Sequence, residues 1–262
     1  MSNAEPGSAV AEGDRADAAR KAAGSNPVWY HTIELAPGVA TPGQIDLREA
    51  AGRVLPDDLS GKRALDVGTF DGFWAFEMER RGAEVVAIDV DRIDAAEWPP
   101  LNRPKLEARA REWDVQLGRG FNIVSEFTGS SVKRVISPVY DVTAEVLGGP
   151  VDFAFSGDIM LHLRDPIRAL QAIRGALAPG GQLLQFEPFS LPATLRAPRR
   201  PMAEFKPLVT DFDWWYPNLA TLSAWPRAAG FADVRRTGVL RPKAAGKGMT
   251  AWHAAILSQR GD

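Results

Sequence analysis

The chain has 262 residues, 45% of them hydrophobic and 24% charged, as expected of a globular protein with one good core. Its 31 basic and 33 acidic residues leave a formal net charge of −2, so no globally basic nucleic-acid surface is expected, although a local basic stripe stays open. The absence of cysteine excludes a disulfide framework, a thiolate nucleophile and a cysteine-ligated zinc site.

Residues 1–27 are rich in alanine, glycine and charge, lack the apolar centre of a signal peptide, and read as a disordered leader. No apolar run approaches the roughly 20 residues of a membrane helix, so the expectation is a cytoplasmic protein with no membrane partner. Turn signals at Pro37-Gly38 and Thr41-Pro42-Gly43 precede a short helix over 47–59. An apolar strand over 63–67 enters a glycine-containing turn, a helix over 73–81 closes at Gly82, and a second strand covers 84–89. Together they make a strand–turn–helix–strand unit of about 30 residues, the length of a βαβ crossover.

An additional helix is expected over 101–117 and strands over 132–137 and 151–155. A helix over 166–177 stops at Pro179-Gly180-Gly181 before a strand over 182–186. After a helix over 219–229, segments 234–239 and 251–257 pair as a final hairpin. This alternation predicts an α/β, Rossmann-like doubly wound fold, a mostly parallel seven-stranded sheet with a C-terminal antiparallel hairpin. The stretch 188–217 has no strong period but many aromatics, prolines and Arg196, Arg199 and Arg200; it reads as a lid insertion on the acceptor side.

The turn Leu65-Asp66-Val67-Gly68-Thr69-Phe70-Asp71-Gly72 sits at the carboxyl end of a strand, where open α/β sheets bind ligands. Gly68 lets backbone approach a ligand, Gly72 permits tight packing at the helix start, and Asp66 offers a carboxylate to an ammonium group or a water. Asp89 ends the second strand about 20 residues later, the offset of a ribose ligand. A dinucleotide needs a further glycine where this chain has Phe70 and the anionic Asp71, which would repel a pyrophosphate. The zwitterionic tail of a sulfonium cofactor tolerates that neighbourhood better.

The run from Leu65 to Gly72 resembles motif I of class I S-adenosylmethionine-dependent methyltransferases, and 84–91 resembles motif II with Asp89 as ribose ligand. The segment from Val151 to Asp158, followed by Leu161-His162-Leu163-Arg164-Asp165-Pro166, is similar to motif IV. Thr41-Pro42-Gly43, the Thr69-Phe70-Asp71-Gly72-Phe73 variant and Trp215-Tyr216-Pro217-Asn218 resemble the branch holding the tRNA wobble-uridine carboxymethyl and methoxy-uridine methyltransferases. The resemblance implies S-adenosyl-L-methionine as cofactor, held by Asp66, Gly68, Thr69, Phe70, Gly72, Asp89 and Val90, with Tyr140 and Asp141 at the adenine and Ser156 and Gly157 at the methionine moiety. It implies a methyltransferase domain over 63–262, capped by a segment over 28–62. Where the carboxymethyl enzymes hold the extra carboxylate of their donor with a lysine, a tyrosine and an arginine, this chain offers Arg48, Leu161 and His253. A second carboxylate needs charge-assisted partners, so plain methyl donation is expected.

Methyl transfer needs a general base only if the acceptor loses a proton during attack. His162, with Asp158 four residues before it, is the first candidate for that role or for orienting the acceptor. A helix-start histidine bonded to a backbone carbonyl is the competing reading. His31, Glu187, Trp214, Trp215 and Tyr216 are candidates for the acceptor pocket; no metal site is expected, and His253 reads as a satisfied, half-buried strand histidine. The leading expectation is methylation of a small-molecule oxygen or nitrogen, aromatic or natural-product in kind. The alternatives are a tRNA wobble-uridine methyl- or carboxymethyltransferase, not favoured by charge, and a non-catalytic S-adenosylmethionine-binding protein. The sequence leaves the oligomeric state open.

Overall fold

Seven strands form one sheet: β1 (Arg63–Val67), β2 (Glu84–Asp89), β3 (Lys133–Ile136), β4 (Val151–Gly157), β5 (Leu177–Phe189), β6 (Ala232–Leu240) and β7 (Trp252–Gln259). In the computed structural model, which describes residues 6–244 and 250–261, their order is β6-β7-β5-β4-β1-β2-β3. Strands β1 to β5 pair in parallel, and β7 runs antiparallel to both β5 and β6. This is the doubly wound sheet with an antiparallel hairpin that the sequence pattern predicts.

The order reverses between β1 and β4, so a crevice opens outside their carboxyl ends. The central strands are covered on both faces, which is why their residues are apolar without alternation: Leu65, Ala154, Phe155, Leu183 and Phe186 are all fully buried. One face packs against the helices Phe73–Arg80 and Arg119–Thr128 and the N-terminal residues 19–59. The other packs against Pro166–Ala176, whose Ala169, Leu170, Ile173 and Ala176 make one buried stripe and whose cap Asp165 accepts from the Arg168 amide at 2.9 Å.

Several expectations differ from the structure, among them the helix over 47–59, which spans only Arg48–Val54. Residues 1–5 lie outside the described residues, but the rest of the expected disordered leader is helical over Pro6–Ser25. Ala19 and Ala23 are buried, and the Arg15 guanidinium donates to the Phe127 carbonyl at 2.7 Å. A contact face made of alanines leaves no apolar period to read. The helix expected over 101–117 spans Arg103–Glu112, and a second helix, Arg119–Thr128, follows Gly118. The helix over 166–177 ends at Ala176, because Leu177 already pairs with Val151 on β4 while Gln182 pairs with Phe153; residues 178–181 bulge out of β5. The stretch 188–217 is largely ordered: β5 runs to Phe189, a helix covers Leu191–Arg196, and Ala203–Phe205 pairs with Trp215–Pro217. Among the described residues no helix is long and apolar enough to cross a membrane.

Candidate cofactor and acceptor site

The turn after β1 is built around two buried polar atoms without a partner, Asp66 Oδ2 and Thr69 Oγ1. Burial pushes the Asp66 carboxyl up to about 7. Gly68 has φ +70°, and a Cβ there would lie 2.1 Å from Ile159 Cδ1, so the absence of a side chain lets Ile159 cover the turn. Phe70 holds a left-handed backbone (φ +48°) that a non-glycine residue rarely adopts. Its amide donates to Asp89 Oδ2 at 2.7 Å, and the other Asp89 oxygen accepts from the Val90 amide at 2.7 Å. Burial raises the Asp89 pKa above its ordinary value.

Asp71 has a definite role in this arrangement. Its carboxylate accepts from the Tyr30 amide at 3.0 Å and the His31 amide at 2.8 Å, and it pairs with His31 Nδ1. His31 is buried and stacks on Phe73, with ring centres 5.2 Å apart. Residues 29–45 therefore form a strap fastened across the turn. Thr41 Oγ1 donates to the His31 carbonyl at 2.7 Å, and Gly43 packs so closely that a Cβ would lie 2.1 Å from the His31 carbonyl carbon. From this strap the Tyr30 ring meets Phe70 edge-on at 6.4 Å, and its hydroxyl donates to Asp158 Oδ2 at 3.4 Å.

At the end of β4, Asp158 is a second non-glycine residue with a left-handed backbone (φ +54°). Its Oδ1 lies 2.8 Å from His253 Nε2, while His253 Nδ1 lies 3.0 Å from the Ala251 carbonyl. Both ring nitrogens face acceptors, an arrangement that favours the doubly protonated imidazolium. Burial opposes charge on both groups, but their mutual attraction outweighs it: the Asp158 pKa falls below and the His253 pKa rises above its ordinary value. Glu187 is buried beneath them, accepting from Ser156 Oγ at 3.0 Å and from the Ile159 and Met160 amides at 3.1 and 3.2 Å. Burial and the nearby Asp158 charge push its pKa well above the carboxylate range. Glu187 thus braces the 158–160 turn. Gly157 lies under Trp74, whose Nε1 would be 3.1 Å from an added Cβ.

The two residues expected to act together are held by different partners. Asp158 pairs with His253 and Tyr30; His162 is partly exposed and pairs instead with Asp213 Oδ1 at 3.2 Å, its Nδ1 also 3.3 Å from the Phe212 carbonyl. His253 is buried rather than half-buried, stacked 4.9 Å from Phe186. Tyr140 pairs with the Glu97 carboxylate under the Arg168 guanidinium, and Asp141 is exposed. Trp214 and Trp215 send their indole N–H groups to the carbonyls of Glu97 (2.6 Å) and Arg164 (3.0 Å), and Lys206 lies over the Tyr216 ring. A small crevice beside Phe70 and Asp71 is walled by Asn26, Val28 and residues 115–118. Sequence reasoning missed Tyr30 and the pairing of His253 with Asp158, because no local pattern links positions 95 residues apart. Among the described residues no group of three or more His, Asp or Glu is placed to hold a metal ion.

Asp66, Asp89, Asp158 and Glu187 thus line one end of the sheet with carboxyl groups. That donor set fits a cofactor carrying ammonium and sulfonium charge and ribose hydroxyls, and the unpartnered Asp66 oxygen is available to an ammonium.

The profile of a family described as methyltransferase domain matches residues 44–235. The chain belongs to this methyltransferase family. S-adenosyl-L-methionine is the family's cofactor. Among curated proteins the chain is similar to a tRNA U34 carboxymethyltransferase of Azotobacter vinelandii, 28% identical over 207 residues, covering 76% of this chain and 55% of that one. A second tRNA U34 carboxymethyltransferase, from Pseudomonas fluorescens, is 28% identical over 185 residues, covering 70% and 50%. The chain therefore spans about half the length of the curated relatives it matches. Among solved structures, the N-terminal domain of EvdMO1, determined in the presence of SAH and D-fucose, shares the fold at a TM-score of 0.58 and 18% identity, over 94% of this chain and 97% of that one. The YcgJ protein of Bacillus subtilis shares it at a TM-score of 0.52 and 11% identity, over 82% and 98%.

Proposed function

We propose that the protein transfers a methyl group from S-adenosyl-L-methionine to a uridine of tRNA. The unpartnered, buried Asp66 carboxyl beside Asp89 is the observation that carries the donor. The named relatives support the tRNA acceptor, the reading the sequence placed second, over a small molecule.

Methyl rather than carboxymethyl transfer is supported by the three positions where an extra donor carboxylate would need partners. Arg48 is already bidentate to Asp46, at 2.9 and 2.7 Å; Leu161 has no hydroxyl; and His253 is engaged by Asp158. The bound cofactor supplies an electrophilic methyl group, and the protein's work is chiefly to align an acceptor with it. Asp66 and Asp89 would hold the ammonium group and the ribose, beneath the strap at Tyr30 and His31 that closes over the turn. Asp158, kept ionised by His253, would accept a hydrogen bond from an attacking hydroxyl of the uridine; the oxygen–carbon bond would form as the methyl–sulfur bond breaks, and the hydroxyl proton would pass by way of Asp158 to water.

A small-molecule hydroxyl or amine is the second reading, favoured by the net charge of −2. The test is incubation with methyl-labelled S-adenosylmethionine and either total tRNA or a panel of phenols and amino alcohols, read by nucleoside and small-molecule mass spectrometry. Label in a uridine is the expected result. Label only in a small molecule moves the assignment to the second reading, and turnover of a carboxylated donor overturns methyl transfer.

A further inference from the structure

The helix Leu191–Arg196 leads from the site-facing end of β5 into a loop carrying Arg199 and Arg200, and Arg196, Arg199 and Arg200 line one open concavity with Pro198 and Met202. All three arginines are exposed, and among the described residues no carboxylate lies within ion-pair distance of them. The nearest acidic residue in sequence, Glu204, is paired with Lys206 at 2.8 Å and accepts from Ser190 Oγ at 3.1 Å.

The loop is built, not merely present. Asn218, fully buried, donates from its side-chain amide to the Ala197 and Arg200 carbonyls, both at 2.9 Å, and accepts from the Met202 amide at 3.1 Å. The arginines are thus displayed from a fixed backbone.

Beside them the hairpin of Ala203–Phe205 with Trp215–Pro217 carries Phe205, 55% exposed, against Trp215 at 5.6 Å. The exposed side of the ring leaves room for a flat partner to stack on it. The same hairpin is joined to the turn beyond Asp158 by the Trp214 amide, which donates to the Leu161 carbonyl at 2.8 Å, and by the Trp215 indole to the Arg164 carbonyl. Guanidinium groups without carboxylates suit phosphates, and exposed aromatic faces suit unstacked bases; together they describe recognition of a single-stranded loop.

We propose that Arg196, Arg199, Arg200 and Phe205 form the docking face for a single-stranded RNA loop, with phosphates on the arginines and a base on the phenylalanine. This rests on the tRNA reading of the acceptor and adds where the nucleic acid is held. The hairpin's bonds to the Leu161 and Arg164 carbonyls tie the docking face to the segment that follows Asp158.

The experiment uses the full chain with S-adenosylmethionine and two probes, a labelled tRNA anticodon stem-loop and vesicles containing anionic phosphatidylglycerol. Binding is measured across salt from about 50 to about 200 mM. Three lost phosphate contacts to a single strand lower the log–log salt slope by about 2, or roughly a 20-fold smaller affinity loss over that range. The triple variant R196A/R199A/R200A is expected to show that change, and Phe205→Ala to weaken stem-loop binding with the slope unchanged. Calorimetry with S-adenosylmethionine alone confirms that each variant is folded. A triple variant with the wild-type slope and affinity overturns the docking face. So does a wild-type protein that binds the vesicles through these arginines but not the stem-loop. If tRNA is methylated with an unchanged KM by the triple variant, the acceptor reading stands and the docking face falls. If the arginines hold the stem-loop but no uridine is labelled, the docking face stands and the acceptor reading falls.

Discussion

Asp66 is buried with one oxygen lacking a hydrogen-bond partner, and burial raises its pKa to about 7. The folded chain binds this proton more tightly than the unfolded one, so Asp66 lowers stability progressively as pH rises from 3.8 to about 7. An incoming ammonium requires the ionised form. Affinity for S-adenosylmethionine is therefore expected to rise with pH and level off above about 7, with proton release below that, measurable by calorimetry in two buffers. Asp66→Asn should flatten the profile and weaken binding by roughly 10- to 100-fold, the range of a charge-assisted hydrogen bond. A wild-type affinity that does not change with pH would contradict this assignment. Asp158 and His253 behave oppositely. The depressed Asp158 contributes stability that is complete above its ordinary 3.8 and is lost as pH falls through its folded value. The raised His253 contributes stability that is complete below its ordinary 6.5 and is lost as pH rises through its folded value. His253→Gln should cost about 3 kcal/mol by urea denaturation at pH 5–6, with the deficit shrinking toward alkaline pH. A deficit independent of pH would show that the lost contacts, and not the charge pair, carry the effect. The strand–turn–helix–strand unit that gathers Asp66, Gly68, Gly72 and Asp89 was legible because its spacing is local. The partners of Asp158 were not, since they depend on the register that sets His253 opposite Pro188.

Among the elements, the strap over 29–45 and the stretch over 188–217 are held by side-chain-to-backbone bonds rather than by apolar periodicity. That is why turn signals revealed the strap's bends but not its attachment, and why the stretch over 188–217 looked featureless. The strap depends on Gly43, whose added Cβ would overlap the His31–Thr32 peptide. Gly43→Ala is expected to lower stability by about 1–3 kcal/mol, the range for overpacking, and to raise the KM for S-adenosylmethionine more than it lowers kcat. An equal fall in kcat with KM unchanged would mean that the strap acts on the chemistry and not on retention of the cofactor. The Pro6–Ser25 helix illustrates the converse limit: alanines bury well yet leave no amphipathic trace.

For the whole molecule, the sheet was legible because parallel strands covered on both faces must be apolar throughout, and because glycine turns mark their carboxyl ends. Its order places every candidate cofactor ligand on one edge of the core, so binding should tighten the entire fold. A ligand at 100 times its Kd stabilises by about 2.7 kcal/mol, and at this size that corresponds to a Tm increase of roughly 5–10 °C. A thermal scan with and without S-adenosylmethionine checks it, and no shift at saturation would place the ligand elsewhere. The insertion of β7 between β5 and β6 carries one more consequence. Strand β6 leaves the ribosome before β7, its one partner in the sheet among the described residues, so it waits unpaired until β7 emerges. Because β7 also delivers His253 to Asp158, one strand both closes the sheet and completes the charge pair. A nascent chain stopped before it would present an unfilled gap beside β5, the kind of open edge that chaperones cover and aggregates exploit.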